Sequence, residues 1–289
     1  RQYRLRVKTT DGQTYVSAFE TIKKSPPIDS IGFNINQTGD GIDIYANAHD
    51  PSNNGRYYKW DYEETWRFTA AEVSQFVTDG AFVLPRRVDQ DVFYCFAGDA
   101  SSSINIGSTA KLSQDVIDHQ PITSIASNSE KIGIRYTILL RQYALTKEAY
   151  NFWQNMKKNT ESLGSIFDGQ PSELAGNITC TSNPALPVIG YISVSVVQKK
   201  RVFIDNSELP AVWRVRYPYD CYGVDTAYFD NPLTHANQVK DNLVPINSTY
   251  RAIDALRGAG GAVYAFTETT RECADCTIRG HTNQPSFWK

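Results

Sequence analysis

The sequence predicts a mainly β fold: an immunoglobulin- or fibronectin III-like sandwich followed by a β-rich α+β domain with one packed helix. Three observations predict it. Aromatic residues make up 12% of the 289 residues, with 17 Tyr and a single Met, a usage that suits pleated surfaces better than helical bundles. Short alternating runs punctuated by Gly, Pro, Asn and Asp recur along most of the chain. Only one segment combines a strong helical period with start and stop signals.

The first residues read as a hairpin. Tyr3, Leu5 and Val7 alternate, Asp11-Gly12 turns the chain, and Thr14–Phe19 returns. A two-stranded hairpin is marginal on its own. Residues 1–24 are therefore expected to close an upstream β-sandwich, with any targeting or lipidation signal preceding them. Ser25-Pro26-Pro27 reads as a stiff linker. Residues 25–110 form the predicted sandwich, with strands at Ile28–Ile35, Gly41–His49, Arg56–Phe68, Val92–Phe96 and Ile104–Gly107. A Trp on the third strand and Cys95 on the penultimate one match the sandwich pattern, while the strand Ile42–His49 lacks the matching cysteine of antibody domains.

Residues 111–289 form the β-rich C-terminal domain. Lys131–Leu145 reads as a long strand. Thr146 then caps a helix near 147–163, with Tyr150, Trp153, Met156 and Leu163 on its apolar face, Leu145 and Tyr150 at staple positions, and Gly164 as the stop. A weaker helix is predicted at Asn247–Leu256, and further strands at Asn177–Thr181, Gly190–Ile204, Val212–Tyr217 and Ala262–Thr269.

Function classes narrow on charge and motif. A net charge of −2 and a pI near 6.1 create no general field for nucleic acid or anionic membrane, so no nucleic-acid partner is expected. No apolar run reaches bilayer length. His49, His119, His235 and His281 share no motif, and nucleophile-elbow, zincin, P-loop and dinucleotide signatures are missing from the sequence. Glu63-Glu64 is the tempting acidic pair, but strand alternation sends the two to opposite faces. No catalytic residue, cofactor or metal site is assigned.

The last seventeen residues contain Cys273-x-x-Cys276 and His281, compatible with a zinc knuckle, a redox dithiol or a disulfide-pinned tail. Zinc would need a fourth ligand outside any second paired motif. A redox dithiol would need a strand-to-helix turn in a βαβ unit. Disulfide bonding fits an exported, aromatic-rich chain better. Cys221, in a turn-rich stretch, is a partner candidate for Cys273 or Cys276; a loop of roughly fifty residues would stabilise by about 3–4 kcal/mol. Cys95 reads as a buried thiol inside a strand, and Cys180 fits either state. Phe287 and Trp288 read as an apolar plug docking the terminus.

Two aromatic groups bear on binding. Tyr58, Trp60, Tyr62, Glu64 and Trp66 share one strand face, read as sandwich core. Tyr217, Tyr219, Tyr222 and Tyr228 lie in loop-like sequence, where tyrosine is a common contact residue, and are the candidate ligand- or partner-binding residues.

Four separated motifs carry a resemblance: Tyr57-Tyr-Lys-Trp-Asp-Tyr-Glu-Glu-Thr-Trp-Arg-Phe68, Phe167-Asp-Gly-Gln-Pro-Ser-Glu-Leu-Ala-Gly-Asn177, Gly190-Tyr-Ile-Ser-Val194, and the Cys-x-x-Cys tail ending in Pro-x-Phe-Trp. Together, over Pro26 to Trp288, they resemble the domain of unknown function 4249 family, surface or periplasm-facing lipoproteins of Bacteroidota. The family pattern has Gly where His281 stands, which argues against His281 as an obligate ligand. The resemblance implies an N-terminal lipid anchor outside this sequence, outer-membrane localisation after export, and a TonB-dependent receptor as partner. The expected function is a non-enzymatic accessory in nutrient uptake that binds a small ligand, peptide or glycan. A surface structural or adhesive protein is the alternative, and a hydrolase with a dispersed site the second.

Overall fold

The structure, a computed structural model, describes residues 1–161, 176–221 and 223–288. The expected helix end at Leu163 and Gly164, most of the Phe167–Asn177 motif, and Tyr222 lie outside the described residues. Among the described residues the protein is mainly β, with 43% in strands and one helix longer than six residues. This bears out the β-rich fold class.

The longest sheet orders the strands Tyr94–Ala100, Tyr57–Thr69, Arg135–Ala144 and Gln198–Asp205, with Asn105–Ser108 also pairing along Tyr57–Thr69. Contacts divide the chain into two compact units built from interleaved segments: 1–63, 100–124 and 138–202 in the first, and 64–99, 125–137 and 203–289 in the second. These units interleave, whereas the expected segments 1–24, 25–110 and 111–289 are contiguous. β pairing is non-local, so compact units need not be contiguous in sequence.

In the first unit the hairpin forms as predicted, with Arg6↔Val16 and Lys8↔Thr14 in register. Gly12, at φ +88°, supplies the left-handed turn residue. Within this chain, however, residues 1–24 do not stand apart. Thr14–Ser17 also pairs with Ile178–Cys180, and Lys23–Lys24 pairs in parallel with Ser195–Val196. Ser25-Pro26-Pro27 is likewise no free linker: Ser25 Oγ accepts the Ala144 N–H at 2.7 Å, and the Pro26 carbonyl accepts Gln142 Nε2 at 2.9 Å.

The core of this unit follows from the alternation of Tyr57–Thr69. Tyr58 and Trp60 are buried at 0% and 1% exposure. Trp60 Nε1 donates to Gln142 Oε1 at 2.9 Å, so the indole is buried with its one polar atom satisfied. Tyr58 donates to the buried Asp115 carboxylate, which also accepts from Thr109, while the Asp115 backbone N–H donates to Asn53 Oδ1 at 2.7 Å. Burial, with Asp115 beside it, pushes the Tyr58 phenol well above its ordinary range. Asp115 belongs to the strand Asp115–Ala126, which with Gly41–Asp50 and Ile28–Ile35 forms a three-stranded sheet. The strands expected in a sandwich confined to 25–110 thus pair with one lying beyond it.

The helix runs Lys147–Glu161. Thr146 caps it as expected, its Oγ1 accepting the Ala149 N–H at 3.1 Å. Its deepest residues are Ala149 and Phe152, while Tyr150, Trp153 and Met156 are half-buried. The buried stripe is rotated because Phe152 packs on Tyr191 at 5.6 Å, leaving Trp153 beneath the ammonium of Lys59 at 4.8 Å.

In the second unit Asp225–Tyr228, Val263–Thr270 and Tyr250–Arg257 form a three-stranded sheet. The helix expected at Asn247–Leu256 is therefore a strand: its Ala and Leu content favoured helix, but register opposite Val263–Thr270 over a Gly258–Gly261 turn prevails. Val212–Tyr217, expected as a strand, has no regular pairing. A small core of Ala227, Val239, Leu243, Ala252 and Phe266 fills one side of this sheet.

Candidate functional site

Strand alternation places Glu63 and Glu64 on opposite faces, as predicted. Glu63 is exposed and pairs with Arg141 at 2.6 Å. Glu64 is buried, accepts from Tyr136 Oη at 2.8 Å, and is paired with Lys131. Both carboxylates are thus engaged in separate ion pairs.

The cysteine tail is resolved by two disulfides. Cys221 bonds Cys273, one of the two pairings expected. Cys276 bonds Cys95, correcting the reading of Cys95 as a thiol. Sequence offered no sign of that pairing because the partners are 181 residues apart and meet only through strand placement. Cys180 is the free, buried cysteine. His281 forms an antiparallel backbone bridge with Phe96, and no group of three metal-ligating side chains occurs among the described residues. Trp288 is buried against Phe96 at 5.0 Å and Phe203 at 5.6 Å, the plug the sequence suggested.

Around the Cys221–Cys273 bond the second unit holds a groove of about 1000 Å³. One wall is the irregular segment Val215–Cys221, which presents Tyr217 and Tyr219; the other is formed by Ala71-Glu72 and Asn128–Glu130. The irregular wall is held at three points. Arg216 N–H donates to the Asn128 carbonyl at 2.9 Å. Tyr217 Oη meets Thr69 Oγ1 at 3.0 Å. Cys221 is tied covalently to Cys273, whose carbonyl accepts the N–H groups of Ala71 and Glu72 at 2.8 and 3.0 Å. Arg279 pairs with Glu130, lies 4.7 Å over the Phe68 ring and stands 5.8 Å from the Tyr219 ring. A segment without ladder hydrogen bonds is thus fixed by side-chain and covalent anchors, and its aromatic faces are pre-positioned.

Of the predicted binding residues, Tyr217 and Tyr219 meet in this groove. Tyr228 stands apart on the strand Asp225–Tyr228, its ring 6.4 Å from that of Tyr264. The groove residues from 71–72 and 128–130 went unrecognised, since their only shared property is proximity after folding.

The profile of one family, described as a domain of unknown function (DUF4249), matches residues 1–201. The chain belongs to the DUF4249 family. The match includes residues 1–24 and ends before Tyr217, so the Val215–Cys221 wall of the groove and the cysteine tail lie outside the matched span, while Ala71-Glu72 and Asn128–Glu130 lie inside it. Neither the curated proteins nor the solved structures include a match to the chain. The groove offers two aromatic faces, hydrogen-bonding groups at Asn128 and Ser129, and charged side chains of both signs at Glu72, Arg216 and Asp220 beside the ion-paired Glu130. Such a lining suits stacking and hydrogen bonding to a polar chain.

Proposed function

We propose that this protein is a non-enzymatic, exported binding module, anchored by lipid at the outer membrane and working beside a TonB-dependent receptor in nutrient uptake. The observation that carries the binding role is the groove at Tyr217 and Tyr219, held open by anchors that include the Cys221–Cys273 bond. Two disulfides fit an oxidising compartment. The receptor context is what the sequence resemblance implies, and the DUF4249 match agrees with that resemblance. The groove's occupant is a glycan or an extended peptide, because aromatic faces flanked by amide, hydroxyl and charged groups stack and hydrogen-bond such chains.

Purification of the full-length lipoprotein from native membranes in mild detergent tests the receptor role. Co-recovery of a TonB-dependent receptor with the wild type, and its weakening by about tenfold or more with Tyr217→Ala/Tyr219→Ala, is expected. Recovery of the lipoprotein alone would overturn it.

A further inference from the structure

A second cavity, of about 190 Å³, opens in the same unit between the hairpin Phe76–Thr78/Val83–Pro85 and the strand Tyr250–Arg257. Phe76, Val77, Val83, Leu243 and Ile246 give it an apolar wall, and Arg86, Arg251 and Asp275 line it as well. Arg86 donates to neutral acceptors only in its bonds to the Ser74, Phe76 and Gln90 carbonyls and Ser74 Oγ, at 2.9–3.1 Å. Arg251 Nη1 donates to the Ser248 and Tyr250 carbonyls, and its Nη2 lies 3.6 Å from Asp275. Asp275 also takes Arg271 at 3.0 Å and the Thr277 hydroxyl. Two guanidiniums, Arg251 and Arg271, thus pair with one buried carboxylate, and Arg86, lining the same cavity, has Asp275 and Asp91 as its nearby opposite charges without pairing directly with Asp275.

Half-buried positive charge in excess of its counter-charge is costly, and an anion entering the cavity would offset that cost. Burial lowers the proton affinity of both Arg86 and Arg251, and each is lowered further by a neighbouring arginine. Both stay charged, since guanidinium is protonated throughout the physiological range. The apolar wall would accept a short hydrocarbon. The volume corresponds to roughly six water-sized units at about 30 Å³ each, which excludes long acyl chains.

We propose that this cavity is a binding site for a small amphipathic carboxylate, its anion facing Arg86 and Arg251 and its short apolar chain against Phe76, Val77 and Leu243. This site is separate from the tyrosine groove and does not rest on the receptor role.

The test uses pentanoate and its uncharged analogue pentanamide, titrated into the full chain at low salt and followed by amide and arginine side-chain NMR shifts. Pentanoate is expected to bind at least tenfold more tightly than pentanamide, with shifts concentrated on the cavity residues. Arg251→Met is expected to abolish that preference, and Val77→Trp to abolish binding of both. Equal affinity for acid and amide, no saturable shift with the wild type, or an Arg251→Met protein that keeps the preference would each overturn the site. Should Arg251→Met fail to fold, the wild-type comparison and Val77→Trp decide the matter.

Discussion

Replacing the disulfides pair by pair gives a quantitative test of how the second unit is held together. The two bonds are nested: Cys221–Cys273 closes 52 residues, inside the 181 residues closed by Cys95–Cys276. With the inner bond made, the outer one closes a shorter path, roughly 130 residues running from Cys95 to Cys221 and from Cys273 to Cys276. Chain-entropy treatment then assigns about 4 kcal/mol to the inner bond and about 5 kcal/mol to the outer. At roughly 2–4 °C per kcal/mol, Cys95→Ser/Cys276→Ser should lower the Tm of this unit by about 10–20 °C, and Cys221→Ser/Cys273→Ser by slightly less. Urea denaturation of each variant without reductant measures the free energies. Hydrogen exchange locates the loss, which should fall on segments 64–99 and 203–288 and spare the pairing of Thr14–Ser17 with Ile178–Cys180. Variants within about 1 kcal/mol of the wild type, or more than one reactive thiol per chain in denatured, unreduced wild type, would refute the reasoning.

Two further predictions concern buried polar groups. Gln142 is fully buried and serves both Trp60 Nε1 and the Pro26 carbonyl. Gln142→Leu strands a donor and an acceptor, so a loss of about 2–5 kcal/mol in chemical denaturation is expected; a loss under about 1 kcal/mol would contradict the assignment. Glu268 is 2% exposed on the central strand of its sheet; one oxygen accepts from Asn242 at 2.7 Å and the other is buried without a partner. Burial raises its carboxyl above the ordinary range, with Asp225 opposing ionisation further. A carboxyl raised in the folded state stabilises below its unfolded value of about 4.3 and loses that contribution as pH rises through the folded value. Glu268→Gln should therefore gain on the wild type by about 1–2 kcal/mol between acidic and neutral pH. Tm measured across pH 4–8 checks the sign, and a gain that shrinks with rising pH would reverse it.

Local pattern made much of the fold legible. Alternation along Tyr57–Thr69 identified Tyr58, Trp60 and Trp66 as buried and separated Glu63 from Glu64. Asp11-Gly12 marked the first hairpin, and Thr146 marked the start of the helix. What failed depended on partners distant in sequence. Cys95 looked inert because nothing near it in sequence signals Cys276. Tyr250–Arg257 looked helical because Ala and Leu suit either state until a neighbouring strand decides. The helix stripe rotated toward Phe152 because Tyr191, forty residues on, supplies its packing surface. The tyrosine groove was half legible: turn-rich sequence pointed to Tyr217 and Tyr219, but the wall from Asn128–Glu130 exists only after folding. Arg86 and Arg251 carried no motif at all.

The pairing of Thr14–Ser17 with Ile178–Cys180 also sets an order of events during synthesis. Val16 and Thr179 are 163 residues apart, so at about 5–20 residues per second the first strand waits roughly ten to thirty seconds for its neighbour. Throughout that interval Thr14-Tyr15-Val16-Ser17 presents one open row of backbone donors and acceptors in a β-prone sequence, the geometry that invites pairing with another chain. Arg4, Arg6 and Lys8 on the adjoining strand and before it repel a second copy of the same segment. The charge on Arg4, Arg6 and Lys8 thus acts as a kinetic guard over a strand whose second neighbour is made long after it.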